Sequence, residues 1–152
     1  MVRAGVFKTY TVSEGETRRL GQRLGRRLAP GAIVALKGDL GAGKTVFAAG
    51  ILKGLGASGP FRSPTFTLVW EHQGRGTMIH HADLYRLEAD DVITDLPWDR
   101  LLDTGSVCLI EWADKLPRGF LPKRTIDVTI ERMNAARRRL VFWRQAGDIP
   151  TL

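Results

Sequence analysis

Gly38 to Thr45 reads GDLGAGKT, and Gly38, Gly43, Lys44 and Thr45 meet the pattern G-x-x-x-x-G-K-[ST]. Each residue type here has a physical task. The glycines reach backbone angles closed to other residues and let amides approach phosphate oxygens. Lys44 offers a point charge to the outer phosphates, the Thr45 hydroxyl suits magnesium, and a helix starting at the loop adds the positive end of its dipole. At average residue usage, a chain of 152 residues matches this pattern by accident about once in two hundred cases. The flanks argue further against accident. PGAIVALKGD (30–39) turns at Pro30-Gly31 and runs apolar from Ala32 to Leu36, as strands buried on both faces of a parallel sheet do. TVFAAGILKGLG (45–56) carries Val46, Phe47, Ile51, Leu52 and Leu55 at helical spacings and stops at Gly54 and Gly56. Strand, glycine loop and helix in that order predict a phosphate-binding P-loop.

Working outward, residues 17–29 (TRRLGQRLGRRLA) place Leu20, Leu24 and Leu28 on one stripe with Gly21 and Gly25 beside it, which predicts a helix lying against a sheet. Arg18, Arg19, Arg23, Arg26 and Arg27 occupy its other faces; a solvated surface is the plain reading and phosphate contact the alternative. Pro60 and Pro64 hold a loop that gives way to a strand at 65–70, and HQGRG (72–76) turns into TMIHHADLY (77–85), so 65–82 reads as a hairpin. Residues 88–104 predict a short helical segment broken at Pro97, with a further turn after it. SVCLIEW (106–112) is a buried strand with an acid at its end. RTIDVTIERM and RRRLVFWRQ, joined by NAAR, form a C-terminal antiparallel hairpin. The expected fold is α/β: a single P-loop NTPase domain over 1–152, with a mixed sheet of parallel core and antiparallel hairpins flanked by helices.

The formal charge is +7, from 23 Lys and Arg against 16 Asp and Glu, which favours an acidic partner such as RNA, nucleotide or an acidic protein face. No interleaving of aromatic and basic residues marks a single-strand binder. The lone Cys108 makes no internal disulfide and suits a reducing compartment. The first residues, MVRAGVFKTYTVSEGE, lack the apolar core of a signal peptide, and no window reaches membrane-span length, so a soluble, cytoplasmic protein is expected.

A magnesium nucleotide site needs an acid near Thr45, commonly at a neighbouring strand end. Asp83 closes TMIHHAD and Glu111 closes VCLIE. Four apolar residues and then an acid put Glu111 at the carboxyl edge of the sheet, where ligands bind in such folds, so Glu111 is the first choice for the metal and for orienting water, and Asp83 the second. The guanine-reading pattern [NT]-K-x-D is missing, which leaves ATP as the nucleotide. His80 and His81 lie near Asp83, but their spacing matches no zinc signature and adjacent strand residues face opposite ways. Trp112 follows the proposed metal acid, at the rim of the site.

GDLGAGKT, SPTFTLV (63–69), HADLYRL (81–87) and LIEWADKLP (109–117) together resemble, in this order and spacing, the bacterial TsaE (YjeE) proteins, from about Ser13 to Arg137. The resemblance implies a small P-loop ATPase of the pathway that makes N6-threonylcarbamoyladenosine (t6A) at adenosine 37 of tRNAs reading ANN codons. It implies TsaD and TsaB as partners, with tRNA reached through that complex and direct contact left open. Carried over by residue, ATP is held by Asp39, Leu40, Gly41, Ala42, Gly43, Lys44 and Thr45, and Mg2+ by Thr45 and Glu111. Ser63 and Thr65 belong to a switch-like loop sensing the terminal phosphate. Lys44, Glu111 and Asp83 are the catalytic set; Trp112 is also a family position important for activity. Glu14 sits towards the base and Arg137 near the nucleotide. Two positions depart from the family: Ala136 stands where Gly usually precedes that Arg, and Val46 where a second Thr often follows the loop.

Two other classes compete. A small-molecule kinase is suggested by Asp83 close to Arg86 and by Arg137 to Arg139 as a phosphate lid, though the chain leaves little room for an acceptor pocket. A nucleotide-gated RNA- or protein-binding module is suggested by the net charge and the arginine-rich helix.

Overall fold

The computed structural model describes residues 4–61, 63, 64 and 66–152. Its strands are β1 (Gly5–Thr11), β2 (Ile33–Lys37), β3 (Val69–Gln73), β4 (Met78–Asp83), β5 (Ser106–Glu111), β6 (Ile126–Arg132) and β7 (Arg138–Arg144). The helices are α1 (Glu14–Arg27), α2 (Lys44–Gly54), α3 (Asp91–Thr94) and α4 (Trp98–Leu101). The strands make one sheet in the order β1-β7-β6-β2-β5-β4-β3. Its centre, β6-β2-β5-β4, is parallel, and β7, β1 and β3 add antiparallel edges. This is the mixed α/β sheet expected from the sequence.

The two-residue period of the strands divides the core. Val34 and Leu36 of β2, with Val107 and Leu109 of β5, pack with Leu20, Leu24, Phe47 and Ile51 of the two long helices. Ile33, Ala35, Cys108 and Ile110 point the other way, into a second core with Leu84, Val92, Trp98 and Leu101. Burial raises the Cys108 thiol pKa to about 12, so it is an inert core side chain.

The structure revises several local readings. β1 was unread in the sequence because its side chains are mostly exposed or half-buried, which hides the alternation. Helix α1 begins at Glu14, three residues before the expected start. Ser13 caps it by accepting from Glu16 N–H at 3.1 Å, while the Glu16 carboxylate accepts from Val12 N–H at 2.8 Å. The S-x-x-E spacing was a usable signal for that start. Leu20 and Leu24 do reach the core beside the sheet, but the glycine stripe faces a helix: a Cβ on Gly21 would lie 2.4 Å from the Phe47 carbonyl, and one on Gly50 would lie 2.1 Å from that of Arg18. Strand β3 begins at Val69 rather than at 65, because Thr67 and Leu68 N–H both donate to the Pro64 carbonyl in a turn. Thr65 itself lies outside the described residues.

Candidate nucleotide site

The P-loop joins the carboxyl end of β2 to the N-terminus of α2. Gly43 caps α2 at φ +114°, a left-handed conformation that strains other residues. Gly38 has φ +145°, and a Cβ there would meet the Ile130 carbonyl at 2.3 Å. Beside the loop opens a cavity of about 300 Å³. Ser13, Glu14 and Thr17 line it on the α1 side; Leu40, Gly41, Gly43, Lys44, Thr45 and Val46 form its floor; Trp112, Ala135, Ala136 and Arg138 close it.

Lys44 is only 4% exposed. Its ammonium donates to the Gly38 carbonyl and, at 2.7 Å, to that of Asp39, and it lies 3.9 Å from the centre of the Trp112 ring. Burial lowers its pKa from the ordinary lysine value, against the opposing pull of Asp114, Glu111, Asp39 and Asp83. A buried cation whose direct hydrogen-bond partners are loop carbonyls suits an anionic ligand.

Strand topology assembles the acids. β4 and β5 run parallel with Asp83 opposite Glu111. Ile79, His81 and Asp83 share one face of β4, and Val107, Leu109 and Glu111 the same face of β5, the side on which α2 packs. Glu111, 1% exposed, accepts from the Thr45 hydroxyl at 2.9 Å on Oε1. Its Oε2 lies 2.6 Å from His81 Nε2; because a carboxylate only accepts, Nε2 carries the proton. Asp83 accepts from Ser63 Oγ and, at 2.9 Å, from Tyr85 N–H. Thr45 and Glu111 are hard oxygen donors side by side, a donor set that fits magnesium.

Two non-glycine residues among those described have left-handed backbones, Leu68 (φ +64°) and Trp112 (φ +60°), and both flank these acids. Trp112 follows Glu111, and the Leu68 carbonyl accepts from Asp83 N–H at 2.8 Å. Each such residue costs about 1–3 kcal/mol, a pattern typical of sites where position outweighs strain.

Of the residues named from sequence, Glu14, Leu40, Gly41, Gly43, Lys44, Thr45 and Trp112 line the cavity, with Glu111 behind Thr45. Asp39 and Ala42 take part through their carbonyls, which accept from Lys44 and from Arg138 Nε at 2.8 Å. Ser63 reaches the site through Asp83. Arg137 does not line the cavity: its guanidinium sits 4.4 Å from the Tyr10 ring centre, and the neighbouring Arg138 lines the cavity instead. Asn134 Oδ1 accepts from the Ala136 and Arg137 N–H groups, and the turn it makes sends consecutive arginines to different sides. His80 contacts Glu71 at 3.6 Å, away from His81 and Glu111. Sequence reading missed Thr17 and His81 as the Glu111 partner, and named Arg138 only within the Arg137 to Arg139 lid of the kinase alternative; the histidine before Asp83 was visible, but its distance from Glu111 was not.

Residues 11–140 match the family model for the threonylcarbamoyl adenosine biosynthesis protein TsaE. A Haemophilus influenzae relative, named tRNA threonylcarbamoyladenosine biosynthesis protein TsaE, is 45% identical over 105 residues, covering 69% of this chain and 66% of its own length. A Bacillus subtilis relative of the same name is 36% identical over 136 residues, covering 90% and 84%. The crystal structure of Bacillus subtilis YdiB superposes with a TM-score of 0.77 at 31% identity, covering 96% of this chain and 88% of that one. The chain therefore belongs to the TsaE family.

Proposed function

We propose that this protein is a magnesium-dependent ATPase that serves the formation of t6A on tRNA, working with the TsaD and TsaB proteins in the cytoplasm. The role in t6A formation is supported by the family and by its relatives' names. The observation that most supports ATP turnover is the Thr45–Glu111 hydrogen bond beneath the P-loop cavity. No helix among the described residues is long and apolar enough to cross a membrane.

In this mechanism the loop amides and the N-terminus of α2 bind the phosphates, and Lys44 exchanges its carbonyl partners for phosphate oxygens. Thr45 and Glu111 hold Mg2+, which when bound neutralises charge on the phosphate oxygens. Glu111, oriented by His81, accepts a hydrogen bond from the attacking water; Asp83 holds Ser63 towards the terminal phosphate. Glu14 and Thr17, on the α1 side of the cavity, face the nucleoside end, while Trp112, over the Lys44 ammonium, borders the phosphates. Contact with TsaD and TsaB completes a geometry that hydrolyses ATP slowly alone.

The test is ATP hydrolysis by the purified protein, alone and with the TsaB and TsaD pair, with tRNA as a further variable. Expected is a slow basal rate that rises with the partners. Lys44→Ala should lose nucleotide binding, and Glu111→Ala should lose turnover while retaining it. An unchanged rate in Glu111→Ala removes its catalytic assignment.

A further inference from the structure

Helix α1 carries a surface that the nucleotide site does not use. From Arg18 to Arg27 every exposed position is arginine: 18, 19, 23, 26 and 27. Leu20, Gly21, Leu24 and Gly25 are buried between them. At about 100° per residue the five side chains fan across the solvent-facing half of the helix over about 14 Å, the length of roughly four phosphates on one strand at duplex spacing. Among the described residues, none of the five has an acidic group within ion-pairing distance. The acids of α1, Glu14 and Glu16, are confined to its first turn.

An ordinary solvated helix face alternates sign, because opposite charges at i, i+4 support the helix and like charges weaken it. Here Arg19 with Arg23, and Arg23 with Arg27, are like-charge pairs at that spacing, and no lysine interrupts the series. Such a face works against its own helix until a polyanion meets it, and guanidinium forks match phosphate oxygens two at a time. The platform is rigid. Gly50 and Gly54 of α2 pack so tightly under α1 that a Cβ on either would lie 2.1–2.2 Å from the Arg18 or Gln22 carbonyl. No aromatic residue interrupts the arginines along α1 itself; Tyr10 of β1 borders Arg19 and Arg23, but its ring carries the Arg137 guanidinium at 4.4 Å, so the contact read from this face is to backbone.

We propose that the arginine face of α1 docks the sugar-phosphate backbone of structured RNA. That this RNA is the tRNA being modified rests on the function proposed above; the backbone chemistry does not. The face is separate from the P-loop cavity, so RNA and nucleotide occupy the protein together.

The experiment measures binding of an unmodified tRNA transcript between about 50 and about 200 mM salt, for the parent chain and for Arg19→Gln/Arg23→Gln/Arg27→Gln. Expected is steeply salt-dependent binding by the parent, with roughly tenfold or greater loss in the triple variant and a log-log salt slope shallower by about three. ATP binding and basal hydrolysis should be equal in the two proteins, which certifies the fold. Equal tRNA affinity and slope in both would overturn the proposal, as would no tRNA binding by the parent. Retained tRNA binding with loss of the stimulation by TsaB and TsaD would also overturn it, assigning the face to an acidic protein surface. A tRNA isotherm that behaves as expected in a protein that hydrolyses no ATP sinks the ATPase reading and leaves this one standing.

Discussion

His81 Nε2 donates to Glu111 Oε2 across 2.6 Å, with both side chains almost fully buried, while the other carboxylate oxygen takes the Thr45 hydroxyl. One carboxylate thus ties a P-loop hydroxyl to a strand histidine. If Glu111 acts on magnesium and water, His81 sets its orientation. His81→Leu is expected to lower kcat for ATP roughly 10- to 100-fold with little change in KM, and His81→Gln, which keeps a donor at similar reach, to recover much of it. Equal losses in both variants would reduce the histidine to a packing residue.

Lys44 yields a prediction of opposite signs for binding and stability. Its pKa is lowered chiefly by burial, so the charged form is disfavoured in the fold and opposes stability at neutral pH, where it is charged. Lys44→Met should therefore melt no lower than the parent without nucleotide, and should lose the rise in melting temperature expected of the parent with ATP. A thermal melt with and without ATP checks both halves.

The α1–α2 crossing tolerates no side chain at its centre. Gly50→Ala would bring Cβ to 2.1 Å from the Arg18 carbonyl, and neither backbone can move freely. We expect a loss of about 2–3 kcal/mol, seen as a fall of about 4–12 °C in Tm. Gly105→Ala is the control: it is exposed, with its nearest neighbour at 3.6 Å, and should stay within about 0.5 kcal/mol of the parent.

Acid should weaken the fold through two histidines. Burial is the leading cause that pushes His72 and His80 below their ordinary 6.5, and His72 Nε2 and His80 Nδ1 lack hydrogen-bond partners among the described residues. The native state thus prefers both rings neutral, whereas the unfolded chain takes up protons as pH falls through about 6.5. Their contribution is complete above that pH and is lost progressively below it. Urea unfolding at stepped pH should show the decline, and His80→Gln should flatten part of it.

How much of this was legible beforehand follows from range. The P-loop, its strand and its helix were readable because their determinants are local: glycine angles, an apolar run, a 3.6-residue period. The same locality made Glu111 recognisable as a strand-end acid and β6–β7 as a hairpin. Edge strand β1 escaped because a half-solvated strand has little pattern to show. Arg137 and Arg138 were indistinguishable in sequence, since a single turn of backbone around Asn134 decides which of them meets the loop.

By itself, then, the sequence determined where the phosphate-binding motif lies, which family's motifs surround the loop, and which strands end in acids. Only the tertiary structure decided that Thr45, Glu111 and His81 form one hydrogen-bonded chain, that Ser63 serves Asp83, and that glycines bring α1 against α2. Thr45 and Glu111 are 66 positions apart, and they meet because β5 is inserted between β2 and β4 in the sheet. Strand order is settled by burial of both sheet faces together, a property of the whole chain that no short window contains.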